Sequence, residues 1–146
     1  MATFSRNVTV NWEGSIMEGK GTAKAGSGAF SLPISFPRRI GDAEGVTSPE
    51  ELMAAAHAAC YAMALNATVG RKGGSIAKTH VNATVIADKG EAGIKLTTSK
   101  LKVVAEGLQG IEKSQFAEVA KEAEGKCPIS NALRGSLAIE LETEVR

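Results

Sequence analysis

Ser48-Pro49-Glu50-Glu51-Leu52-Met53-Ala54-Ala55-Ala56-His57-Ala58-Ala59-Cys60-Tyr61-Ala62-Met63-Ala64-Leu65 is the stretch on which the fold turns. Ser48 takes the N-cap, Pro49 the first helical position, and Glu51 stands where a capping box needs its acid. Two acids in the first turn suit the positive end of the helix dipole. No helix breaker follows until Gly70. The sequence therefore predicts a helix of about 20 residues, roughly 30 Å long. It is apolar nearly all round, so the expectation is burial on most sides. Its many alanines allow neighbouring elements to approach closely.

Outward from this helix the pattern changes to strands. Val8, Val10 and Trp12 alternate, with Glu13-Gly14-Ser15 as a turn. Gly19 and Gly21, then Gly26 and Gly28, bracket a second short segment. Gly19-Lys20-Gly21 lacks the third glycine of a dinucleotide fingerprint and reads as hairpin chemistry. Phe30, Leu32, Ile34 and Phe36 alternate, and Pro33 within them predicts an edge strand or a bulge. Beyond the helix, residues 80–87 and 94–105 read as strands joined by a turn at Lys89-Gly90-Glu91-Ala92-Gly93. A helical pattern covers 111–124 and stops at Gly125. Cys127-Pro128 opens a short helix over 128–133, and Leu137, Ile139 and Leu141 alternate in a last strand. The order strands, buried helix, strands, helices, strand is that of an α+β domain. It predicts one domain over residues 1–146.

The chain's 146 residues can bury a real core. Seventeen Lys and Arg stand against 16 Asp and Glu, a net charge of +1. A nucleic-acid binder would carry a clear basic excess. No uninterrupted apolar run reaches the length of a membrane span, and the first residues lack the apolar stretch of a signal peptide. The expectation is a cytoplasmic protein with neither nucleic acid nor membrane as partner.

The cysteines are Cys60 and Cys127, 67 residues apart, and the histidines are His57 and His80. No Cys-x-x-Cys motif or ligand cluster suggests a metal. Cys60, in its alanine-rich helix, reads locally as a small core residue. Cys127 precedes a proline and should cap a helix, where backbone N–H groups stabilise a thiolate. Cys60 has no such help nearby in sequence. Arg38 and Arg39 are the cations that could supply it, although an Arg-Arg pair also reads as a solvated loop. Three function classes stay open on these residues: a thiol enzyme of redox type, a non-catalytic ligand-binding protein, and a thiol hydrolase using Cys60 with His57.

Thr47 to Leu65 resembles the central-helix motif of the osmotically inducible protein C (OsmC) family. Cys127-Pro128-Ile129-Ser130-Asn131-Ala132-Leu133 resembles that family's second-cysteine motif, and Asn11-Trp12-Glu13-Gly14 and Gly19-Lys20-Gly21-Thr22 resemble its N-terminal one. The Ala-Ala-His-Ala-Ala-Cys form is closer to the OsmC branch than to the related organic hydroperoxide resistance branch. The resemblance implies an α+β fold with antiparallel sheets around a long buried central helix, in an interlocked homodimer. It implies a thiol-dependent peroxidase of oxidative and osmotic stress defence, reducing organic hydroperoxides and, more weakly, hydrogen peroxide. Cys60 matches the peroxidatic cysteine, Cys127 the resolving one and Glu50 the motif glutamate. The site arginine is Arg39 or Arg38. No metal, haem or flavin is implied. The implied reductant is a dithiol, carried on a lipoylated protein.

Overall fold

The structure, a computed structural model, describes every residue from Met1 to Arg146. The chain forms two compact units, Met1–Leu52 and Met53–Arg146.

The first unit is built on a three-stranded antiparallel sheet. β1 (Val8–Glu13) pairs with β2 (Lys20–Ala25), with Val10 opposite Ala23, and β2 pairs with β3 (Ser31–Ile34). Pro33 lies on the edge strand, as its missing N–H requires. Ala23 and Ala25 are buried, whereas Val8, Val10 and Trp12 of β1 stay exposed. The alternation predicted to carry on to Phe36 ends at Ile34. Ser35 is extended, Phe36 and Pro37 begin α1 (Phe36–Ile40), and the Arg39 N–H reaches back to the Ser35 carbonyl at 3.0 Å. Proline fits the first turn of a helix, so where the Arg-Arg pair could also read as a loop the chain forms a short helix carrying Arg38 and Arg39.

α2 spans Pro49–Arg71. Its N-cap is the predicted one: Ser48 Oγ accepts from the Glu51 N–H at 3.1 Å. The capping box is only half made, because the Glu51 carboxylate accepts instead from the Thr47 hydroxyl at 2.7 Å. α2 departs from expectation in burial. His57, Tyr61, Leu65, Thr68 and Val69 form its buried stripe, while Ala55, Ala56, Ala59 and Ala67 are exposed and Met63 is 69% exposed. Nor does the exclusion of a membrane-length helix hold. By length and a mean hydropathy of 1.3, α2 is apolar enough to cross a bilayer. Its buried stripe packs in the core of the second unit.

The second unit holds a three-stranded sheet of β4 (Ser75–Gly90), β5 (Gly93–Gln109) and β6 (Ala138–Val145). β4 and β5 form one long hairpin whose turn tightens to Glu91-Ala92, with Gly90 opposite Gly93. Both strands outrun the predicted ranges. β6 lies parallel to β5, with Leu141 opposite Leu101, so this sheet is mixed rather than antiparallel. The reason is the crossover between them, which carries α3 (Phe116–Gly125) and α4 (Pro128–Leu133); parallel neighbours need such a connection. α3 begins later than predicted, after a 3₁₀ turn at Lys113–Gln115. Its Phe116, Val119, Ala120 and Ala123 meet Tyr61, Leu65 and Val69 of α2 and Leu101, Val103 and Ala105 of β5 in one core. Each of the larger aliphatic or aromatic side chains buried here, such as Leu65, Val103 and Phe116, stabilises the fold by about 1.5–3 kcal/mol.

Candidate active site

Pro128 ends the extended run at Cys127 and starts α4, which makes Cys127 its N-cap. Cys127 is fully buried, and its Sγ accepts from the Ser130 N–H at 3.4 Å. Cys60 projects half-buried from α2, and the two thiols are neighbours close enough to influence each other. Both are free. Burial pushes the Cys60 thiol up. The backbone N–H of Ile129 opposes that by bonding to it, and Cys127 pushes it up again. The N-terminal turn of α4 therefore serves both sulfurs. Sequence reasoning gave this help to Cys127 alone, because nothing local to α2 signals that Ile129 lies across from Cys60.

A largely apolar groove of about 690 Å³ opens beside Cys60, lined by Ala56, Ala59, Met63, Ala64, Pro128 and Ile129, with Arg71 and Lys126 also on its wall.

Arg39 and Glu50 meet in the first unit. The Arg39 guanidinium donates from Nε to both carboxylate oxygens at 3.0 and 3.1 Å, and from Nη2 to Oε1 at 2.6 Å. This hydrogen bonding holds the Glu50 carboxyl below its usual range and raises Arg39, with burial opposing both. Arg38 takes a different partner, Glu44 at 2.7 Å, and donates to the Asp42 carbonyl at 3.2 Å. The structure thus separates the two arginines that the sequence left together. Glu50 and Cys60 lie ten residues apart on the unbroken α2, about 15 Å along its axis.

His57 is not a base for Cys60. Its ring is fully buried, with Nδ1 at 2.6 Å from Ser99 Oγ and Nε2 at 2.7 Å from Ser130 Oγ. Both nitrogens are engaged, so the geometry does not support a Cys–His hydrolase pair. Burial lowers the His57 pKa, and Glu124 raises it. Next along the stripe, the Tyr61 hydroxyl donates to the Ala120 carbonyl at 2.9 Å, and burial raises its pKa. Ser99 and Ser130 were missed from sequence. Ser99 had a signal: it shares the inward register of Leu101 and Val103, where a hydroxyl needs a buried partner.

A family model described as OsmC-like protein matches residues 41–142. The chain belongs to that family. Among OsmC-like relatives, peroxiredoxin OsmC of Escherichia coli (strain K12) is 35% identical over 96% of this chain and 97% of its own length. The organic hydroperoxide resistance protein OhrA of Bacillus subtilis (strain 168) is 34% identical over 77% of this chain and 79% of its own. Among solved structures, an organic hydroperoxide resistance protein OsmC from Legionella pneumophila superposes with a TM-score of 0.77 at 25% identity, covering 99% of each chain. OhrB of Bacillus subtilis superposes at 0.71 with 26% identity, over 94% of this chain and 97% of that one. The OsmC-like fold agrees with the α+β architecture inferred from the order of elements.

Proposed function

We propose that the protein is a cytoplasmic thiol peroxidase that reduces organic hydroperoxides, and hydrogen peroxide more weakly, in oxidative and osmotic stress defence. The observation that carries this reading is the pairing of Cys60 with Cys127 at one turn of α4, beside an apolar groove. The Cys60 thiolate attacks one peroxide oxygen and the O–O bond breaks. The alkoxide takes a proton and leaves as alcohol, and Cys60 becomes a sulfenic acid. The Cys127 thiol attacks that sulfur; water leaves and a Cys60–Cys127 disulfide forms. A dithiol on a lipoylated protein reduces the disulfide and is itself oxidised to a cyclic disulfide. The cycle uses no metal, haem or flavin. An alkyl chain suits the alanine and methionine wall of the groove better than bare hydrogen peroxide does.

Residues 1–146 act as one domain in an interlocked homodimer. The raised Cys60 pKa favours, for a lone chain, the reading of a non-catalytic ligand-binding protein. A second chain resolves it: the Arg39–Glu50 pair of one subunit sits beside Cys60 of the other. There the guanidinium favours the thiolate and stabilises charge on the leaving oxygen. Turnover of cumene hydroperoxide and hydrogen peroxide, side by side with a dihydrolipoyl reductant, tests this. Faster turnover of the organic peroxide, with a mass loss of about 2 Da on one equivalent of oxidant, is expected. No consumption of either peroxide, with both thiols still alkylatable, would establish the ligand-binding reading instead.

A further inference from the structure

His57 lies three residues before Cys60 on α2, and Ser130 lies three residues after Cys127 on α4. His57 meets Ser130 at 2.7 Å, and Cys60 neighbours Cys127. Two rungs therefore join the same two helices. One is a buried hydrogen bond and the other is the thiol pair. The far side of the His57 ring is held at 2.6 Å by Ser99 of β5, and all three side chains are fully buried. An apolar side chain would fill this space without the cost of burying an imidazole and two hydroxyls. What the polar rung adds is direction: it admits one ring orientation and one placement of α4 against α2. α4 has only six residues; its first turn donates the Ser130 N–H to Cys127 and sets Ile129 beside Cys60 in the wall of the groove.

We propose that His57 is a positioning residue for the thiol pair, acting through Ser130 to register Cys127 against Cys60. The rung decides how readily the disulfide closes, since half-cystines tolerate only a narrow range of Cα separations. The kinetic part of this inference rests on the peroxidase reading; the equilibrium part does not.

His57→Asn places an amide where Nδ1 was, so it can reach Ser99 and not Ser130. His57→Gln extends to the place of Nε2 and can reach Ser130. His57→Leu fills the space with no hydrogen bond, and Ser130→Ala removes the hydroxyl while keeping the backbone N–H. The first measurement is the equilibrium of the Cys60–Cys127 disulfide against dithiothreitol buffers. The Asn, Leu and Ser130→Ala variants should lower the closure constant about tenfold, and Gln should recover most of it. With one equivalent of cumene hydroperoxide, peroxide loss should keep the wild-type rate while disulfide closure slows about tenfold in the Asn variant. Wild-type closure in folded Asn or Leu variants, or a Gln variant no better than Asn, would overturn the inference. If every His57 variant fails to fold, Ser130→Ala decides alone, and wild-type closure there overturns it. A wild-type chain that closes its disulfide against dithiothreitol yet ignores hydroperoxide sinks the peroxidase reading and leaves the register of the thiols standing.

Discussion

Glu50→Gln removes one charge from the Arg39–Glu50 pair and changes almost no volume. Three hydrogen bonds join the two side chains, at 3.0, 3.1 and 2.6 Å. Hydrogen bonds to charged groups are worth about 1.5–3 kcal/mol each away from water. Here water screens them, since Arg39 keeps 29% and Glu50 15% of its side-chain exposure. The whole pair is then worth about 1–2 kcal/mol. Glutamine retains one acceptor, so about 1 kcal/mol should go, or about 2–4 °C in Tm for a chain of this size. The pH dependence fixes the cause. Arg39 holds Glu50 below the usual carboxylate range. A group depressed in the folded state contributes fully above its unfolded pKa of about 4.3, and the contribution is lost as pH falls through the lowered value. The wild-type advantage over Glu50→Gln should therefore be full at neutral pH and vanish on acidification. Urea titrations between about pH 7 and pH 3, at one fixed protein concentration, measure it. An advantage that stayed constant, or widened in acid, would refute the ion pair as its source. Turnover of cumene hydroperoxide should fall about tenfold or more as Arg39 loses its orientation. Arg38→Ala, which loses an exposed pair with Glu44 and an exposed hydrogen bond to the Asp42 carbonyl, should stay within about 0.5 kcal/mol and keep full turnover.

Cys60→Ser should abolish peroxide reduction, while Cys127→Ser should reduce one equivalent, stall as a sulfenic acid and slide to sulfinic acid in excess oxidant. Intact mass and thiol alkylation read both, and the reverse outcome would make Cys127 the nucleophile. Leu65→Ala, in the fully buried core between α2, α3 and β5, should cost about 2–5 kcal/mol by urea unfolding; a loss well below that range would mean the site collapses around the gap. Mixing inactive Cys60→Ser chains with inactive Glu50→Ala chains should restore activity, because one site of each heterodimer is intact. Verified heterodimers without activity would exclude a site shared between subunits.

Much of the fold was legible because its decisive signals are local. Ser48-Pro49 and Cys127-Pro128 each combine a cap with a proline in the first turn, and both helices begin where those dipeptides place them. The direction of β6 was not legible. Leu137, Ile139 and Leu141 alternate identically in either direction, and the crossover decides. α1 was hidden because five residues give no helical period. The burial of α2 misled for a different reason. A helix apolar all round gives no stripe to read, and this one turns His57, Tyr61 and Thr68 inward and leaves Met63 outside.

The same inversion explains why only half of the candidate site could be read. Cys127 announced its cap by its proline, whereas the sequence left Arg38 and Arg39 side by side and only the fold pairs Arg39 with Glu50. The His57 network could not be foreseen, since its partners come 42 and 73 residues away in sequence and only the folded register joins them. Yet the two surprises have one physical origin. A core helix would ordinarily bury its alanines and methionine and expose its polar residues. α2 instead buries His57, Tyr61 and Thr68 beside Leu65 and Val69, leaves Met63 and four alanines exposed, and satisfies each buried polar group: His57 by two serines, Tyr61 by the Ala120 carbonyl, Thr68 by the Ala64 carbonyl. The polar face fixes how α2 sits against β5, α3 and α4. The smooth face, with Ala56, Ala59 and Met63 beside Cys60, is left free of directional bonds. A face of small apolar side chains suits both close approach by a second α2 and an alkyl hydroperoxide, and that is why the proposed substrate and the proposed subunit contact meet at the same cysteine.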